Sequence, residues 1–442
     1  MIPHVRRVLN ELDDYCKRNT LTKPMKHAVI ELLITASVFS DTPWKRETIN
    51  RAKKLLEGED DQCLLALVAQ RESALLRMYG DPKGSNQALE RFLQSAILTE
   101  NGRYGLSPMW NARRGGLLLS YARNLTFDGE TSKAAEELQS WNPLDPDKPS
   151  TMERMNIFRR DTALARILRE QGVFDEALHC LQRILKQNQD DEHLYENEGW
   201  RRGILASIAD LHCELGQSME ADAALRPELE YLTGREELNI SNGRLLQLSL
   251  AESYILREMW ARAEELLQNL EAIFTVKVDP DLISQTALFR VWFAFARISH
   301  TQGRWREAYR YWHKALMVGQ GCKWKDYPLN IVWLSLAHVC RELNNLDESY
   351  GLEQKGRESL ARCEMKYWIV GIGTYWLKYV NQRMAARQST VVNRAFSSKE
   401  TGSSDANGLL WDHTKAIATQ RRISGGVQTQ EEGKRLKRVP TL

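Results

Sequence analysis

Histidine stands beside cysteine at His179-Cys180 and again at His212-Cys213, the residue types from which a thiolate nucleophile and its base are built. Neighbours in sequence diverge on a helix, so neither pair brings base to nucleophile, and both read as core or surface residues. A metal held on a helix asks for His and carboxylate one turn apart, and His193 with Glu196 alone has that spacing. Two ligands do not make a site. The chain has no Gly-x-x-x-x-Gly-Lys-Ser/Thr loop to cradle phosphates, no Gly-x-Ser-x-Gly elbow and no dinucleotide fingerprint after a strand. The sequence therefore predicts no catalytic residue, no cofactor, no metal and no small-molecule substrate; the expectation is a protein that is not an enzyme. Tryptophan and arginine interleave from Arg290 to Trp312, a mixture that elsewhere stacks bases and holds phosphates. The spacing of Trp292, Trp305 and Trp312 assigns them instead to helix packing, for the reason that follows.

Alanines recur twelve residues apart, at Ala122 and Ala134, Ala165 and Ala177, Ala209 and Ala221, Ala251 and Ala263, and Ala296 and Ala308. The second members are separated by steps of 43, 44, 42 and 45 residues, which chance does not produce. Seven residues after the first alanine stands a glycine, at Gly129, Gly172, Gly216 and Gly303, with Glu258 in its place in one unit. Glycine closes a helix by taking the left-handed cap conformation at little cost. Each unit thus reads as a helix, a tight turn and a second helix, with the alanines where the two helices meet. Phe174, Trp260 and Trp305, two residues past the turn position, fill the wedge between them. Ser107-Pro108, Pro143 to Pro149, Asp279-Pro280 and Tyr327-Pro328 punctuate the connections, and Ser150 with Glu153 forms a capping box.

The run of Trp292, Ala296, Gly303, Trp305, Ala308, Trp312 and Ala315 resembles the tetratricopeptide repeat in order and spacing. Fainter units lie around Ala337 and Ser349, around Ala88 and Phe92, and around Trp44 and Glu47, so the resemblance covers roughly residues 25 to 380. The long step, against about 34 residues in the standard repeat, is similar to that of kinesin light chains. The resemblance implies an all-α, right-handed α-solenoid of about seven to eight helix-turn-helix repeats over residues 1–383. It further implies a protein that holds peptide or helical segments of partner proteins in a concave groove lined by the first helices. The residue after each first alanine would point into that groove: Arg123, Arg166, Asp210, Glu252 and Arg297, with His338 in the last unit. Arg159, Arg169 and Arg290 extend the set, giving a basic beginning, an acidic middle and a basic end. Some members of the family clamp chaperone C-terminal carboxylates with Asn after the alanine; none of the five residues here is Asn, which argues against that role.

The segment from Lys366 to Val380 is too short to span a bilayer and reads as a helix covering the open end of the array. Residues 384–442 hold ten Lys or Arg against five Asp or Glu, a balance of +5 in a chain whose formal net charge is +3. This is a basic tail of disordered composition, ending in Lys434, Arg435, Lys437 and Arg438, a nuclear address or an anionic contact. Nucleic-acid or anionic-surface binding through that tail and the groove arginines is the less favoured alternative, and a sensor module acting with a separate NTPase is another. The seven cysteines, scattered and without Cys-x-x-Cys spacing, read as reduced thiols. With no transmembrane run and charges throughout the N-terminus, the expected location is intracellular, cytoplasmic or nuclear.

Overall fold

The computed structural model describes residues 2–16, 21–37, 42–99, 107–187, 198–275, 282–321, 327–363 and 375–386. Every regular element among them is helical. The chain divides into two units, Met1–Lys378 and Tyr379–Leu442. The first unit begins with α1 (Ile2–Cys16) and continues as eight helical pairs. They are α2 (Lys23–Ala36) with α3 (Thr42–Leu55), α4 (Gln62–Met78) with α5 (Pro82–Thr99), α6 (Pro108–Phe127) with α7 (Thr131–Gln139), and α8 (Thr151–Glu170) with α9 (Phe174–Gln187). Next come α10 (Glu198–Glu214) with α11 (Ser218–Gly234), α12 (Ser241–Leu256) with α13 (Trp260–Thr275), α14 (Leu282–Thr301) with α15 (Trp305–Gly321), and α16 (Tyr327–Glu342) with α17 (Leu346–Leu360). This is an all-helical solenoid of tetratricopeptide-like helix-turn-helix repeats.

The twelve-residue interval is the contact point of each pair. Both alanines of all five predicted pairs are buried, and so are Ala337 and Ser349. Small residues let the two backbones approach, and a larger one would force them apart. The turn is the same wherever it is built. Gly129, Gly172, Gly216 and Gly303 take φ between 70° and 85°, and the non-glycines Glu258 and Asn344 are held at 55° and 62°. The next N–H then bonds to the carbonyl five residues back, as in Val173 to Leu168 at 2.9 Å and Met259 to Tyr254 at 2.9 Å.

Two N-terminal units differ from the sequence expectation in register. The pair expected around Ala88 is made by Ser73 and Ser85, twelve apart and both buried, and the one expected around Trp44 and Glu47 is made by Ala36 and Thr48. Ser85 donates to the Ser73 carbonyl at 2.7 Å, and Ser349 to the Ala337 carbonyl at 2.8 Å. A serine hydroxyl at the contact point thus finds a partner on the facing helix, which is how it replaces alanine without an unsatisfied buried polar group.

Helix starts follow their caps. Ser107 accepts from the Trp110 N–H ahead of Pro108, and Ser150 and Glu153 form the reciprocal capping box. First helices of neighbouring units pack on one another (α4 on α6, α6 on α8, α10 on α12, α12 on α14), while second helices of neighbouring units do not to any comparable extent. The first helices therefore line the inside of the curvature. Between the layers runs a string of apolar clusters, each drawn from successive units: Phe158, Leu181, Ile204 and Leu211 in one, Leu267, Phe274, Phe295 and Ile298 in another. Trp312 is fully buried, edge-on to Phe293 at 4.7 Å, and Trp292 donates to Glu271 at 2.6 Å. The tryptophans of the Trp–Arg stretch are thus engaged in packing and internal bonds. Cys213 and Cys340 are buried, and Cys63, Cys180 and Cys363 half-buried, all with free thiols; burial pushes the Cys340 thiol up to about 12. No helix among the described residues is long and apolar enough to cross a membrane.

Candidate functional site: the inner face of the first helices

Inner-face residues of the middle units pair with one another. Asp210 of α10 is buried and lies 3.6 Å from Arg169 of α8 and 3.5 Å from Arg290 of α14, and it accepts the Ser249 hydroxyl at 2.7 Å. Glu252 of α12 and Arg297 of α14, both buried, form an ion pair at 2.6 Å. The acidic middle expected to meet a partner is thus neutralised from within: the curvature brings arginines of other units onto these carboxylates. Arg297 is covered as well, its guanidinium 5.7 Å from the centre of the Trp376 ring.

Trp376, from the helical segment at 375–386, is buried against the inner helices α14 and α16. Its indole N–H donates to the Ser335 hydroxyl at 2.8 Å, and its ring meets His300 edge-on at 5.0 Å. His300 in turn accepts from Trp312 at Nδ1, 3.2 Å away. This leaves its Nε2 to donate to Nδ1 of His338, 2.7 Å away, so the geometry assigns both buried rings a neutral tautomer. The covering helix expected from Lys366 lies outside the described residues as far as 374; the part described packs its tryptophan onto the inner face.

The N-terminal units are different. Arg123 and Arg166 are exposed at the positions the repeat predicts, on the adjacent helices α6 and α8. Arg123 is nevertheless surrounded by protein, as a side chain on the floor of a concave surface is, and that burial lowers its pKa, helped by Arg166 and Arg71. Arg159 belongs to the same group: desolvation, Arg123 and Arg71 bring it down to about 10, and its guanidinium lies 4.6 Å from the Trp200 ring. Arg77 of α4 is brought down to about 9 by desolvation, Arg123 and Arg166. Arg71 is lowered by desolvation and Arg113. Arg77 and Arg159, at about 9 and about 10, stay charged at neutral pH, and the neighbouring guanidinium groups repel one another.

Arg71, Arg77 and Arg113 were not among the expected groove residues. The unit of Arg71 and Arg77 lacks the alanine landmark, so Ser73 and Ser85 had to be recognised before α4 could be placed in register, whereas Arg113 lies on α6 nine residues before Ala122, away from the position after the alanine. Arg77 stands four residues after Ser73 as Arg169 does after Ala165. Among the described residues Arg77 bonds to neutral acceptors only, the Asn124 side chain and the Ser120 carbonyl. Among them, too, only Arg166 of this group meets a carboxylate, Glu170 at 2.8 Å. The Nε atoms of Arg71, Arg113 and Arg159 are buried without a hydrogen-bond partner among the described residues.

A shallow depression of about 600 Å³ lies between Trp292 of α14 and Tyr309, Lys314 and Met317 of α15, and none of these arginines lines it. Among the described residues no group of three His, Cys, Asp or Glu side chains is placed to hold a metal. His193 with Glu196, and the basic cluster Lys434, Arg435, Lys437 and Arg438, lie outside the described residues.

No family model matches the chain, and no curated protein does. Among solved structures it is similar to NprR in complex with its cognate peptide NprX, at 17% identity over 82% of this chain and 94% of that one, with a TM-score of 0.47. It is similar to a Rap protein complexed with Competence and Sporulation Factor, at 11% identity over 81% and 99%, with a TM-score of 0.48. It is also similar to the TPR-like repeats of a putative kinesin light chain from Podospora anserina, at 20% identity over 47% and 95%, with a TM-score of 0.32.

Proposed function

We propose that the chain is an interaction scaffold that holds a segment of a partner protein along the inner face of its first helices, and that the N-terminal half of that face makes the contact. The observation that carries this reading is the division of the inner face. Asp210 and Glu252 neutralise Arg169, Arg290 and Arg297, although each of these arginines keeps a buried N–H group without a hydrogen-bond partner among the described residues, whereas Arg123 and Arg166 reach solvent from the floor of the curve. Charge that is accessible and only partly compensated is what a partner can recognise, through steering and register more than through contact area.

A photo-crosslinking residue at 123 or 166, and at 317 on the outer face as a control, tests this in nuclease-treated lysate. The inner positions are expected to capture a common protein segment that the outer one does not. Capture from position 317 alone would move the function to the outer face, and the reading would fall.

A further inference from the structure

Three consecutive inner helices carry six arginines in one mutually interacting group: Arg71 and Arg77 on α4, Arg113 and Arg123 on α6, Arg159 and Arg166 on α8. Apart from the Arg166–Glu170 pair, no carboxylate bonds to them among the described residues, and three of the six keep a buried, unpartnered Nε. A guanidinium presents a fork of donors matched to a carboxylate or phosphate, so six together describe the complement of a chain of oxyanions. We infer that this arginine floor binds an extended acidic segment of a partner protein, its carboxylates about three residues apart. The inference rests on the scaffold reading above and names its ligand.

The register follows from spacing. Packed helices lie roughly 8–10 Å apart, and a peptide in the polyproline II conformation advances about 3.1 Å per residue with about three residues per turn, so every third side chain faces the floor and meets the next helix. A nucleic acid would satisfy the charge but also needs free aromatic faces on which to stack its bases. Here the aromatics are already used: Trp200 stacks on Phe158 at 5.1 Å with Arg159 over its ring, and Trp110 and Tyr121 pack into the core. The mutual repulsion of the six charges is a cost the free protein carries and a bound polyanion relieves, so binding should also raise the melting temperature.

The test uses the full chain and fluorescence anisotropy of three probes. One is a peptide with glutamate at every third residue among Gly and Ser, the second has the same composition with its glutamates in one block, and the third is a single-stranded RNA of equal charge. The spaced peptide is expected to bind most tightly and to weaken steeply as salt rises from ~50 to ~200 mM. Arg123→Gln combined with Arg166→Gln should weaken it about tenfold or more. Both side chains are exposed, so folding should persist, and a melting curve checks that it does. As a second variant, Arg123→Glu should weaken the glutamate peptide further and gain affinity for the lysine counterpart. Equal affinity for spaced and blocked peptides, tighter binding of RNA, or indifference to both variants would overturn the inference. A partner segment captured by the crosslinker but poor in acidic residues would overturn it too, while leaving the scaffold reading standing.

Discussion

Glu153 shows how one side chain fixes the geometry on which the arginine floor depends. It is buried at the start of α8 and accepts from Asn111 at 2.7 Å, from the Leu144 N–H at 3.0 Å, and from the Ser150 N–H and hydroxyl at 3.0 and 2.7 Å. Burial alone would raise its pKa; these hydrogen bonds outweigh it and hold the carboxyl at about 2, against an ordinary 4.5. The folded value is the lower one, so the stabilisation is complete above pH 4.5 and is lost as pH falls toward 2. Glu153→Gln should cost about 1–2 kcal/mol at neutral pH and flatten the acid limb of the stability curve, read by urea titrations at several pH values. An unchanged acid limb would show that another carboxylate governs it. The capping box was legible from Ser150 and Glu153 alone, because it is a contact three residues long. The bond to Asn111 was not, since nothing in the sequence says that α6 lies beside the end of that loop.

At the scale of the element, the turn between paired helices demands a left-handed residue whatever the sequence supplies. Four glycines announced it; Glu258 and Asn344 occupy it at a cost, because a side chain in that conformation crowds the following carbonyl. Glu258→Gly should therefore stabilise the protein by about 1 kcal/mol, and Gly172→Ala should destabilise it by about as much. Thermal melts of the two variants, moving in opposite directions, would check the argument, and a drop on Glu258→Gly would contradict it. The alanine spacing, with glycine-marked turns in four of five units, made those units readable and put Arg123 and Arg166 at exposed positions on α6 and α8. Where serine stands at the contact point its hydroxyl bonds across the pair, and Thr48 bonds back to the Trp44 and Lys45 carbonyls of its own helix, so a search for alanine passes over both. That lost register is why Arg71 and Arg77 were missed, although Arg159 and Arg166 were in hand.

At the scale of the whole first unit, curvature decides which inner residues are available, and curvature is what a repeat spacing does not state. It brings Arg169 and Arg290 from different units onto Asp210, and it seats Trp376 on α14 and α16. The basic end expected at Arg297 is closed by the chain itself, while the basic beginning at Arg123 and Arg166 stays open. A solenoid unit touches chiefly its neighbours, so the effect of emptying the tryptophan site should stay local. Trp376→Ala removes a buried indole, its bond to Ser335 and the edge contact with His300, a loss of about 3–5 kcal/mol at that site. Hydrogen exchange should accelerate in α14 and α16, whose inner faces lose their cover, and remain unchanged in α4, α6 and α8. The variant should also keep wild-type affinity for an acidic peptide at the arginine floor, since the two ends of the inner face are separated by the internally paired middle. Acceleration spread evenly over all the helices would mean that the array opens as one cooperative body, and that occupancy at one end is felt at the other.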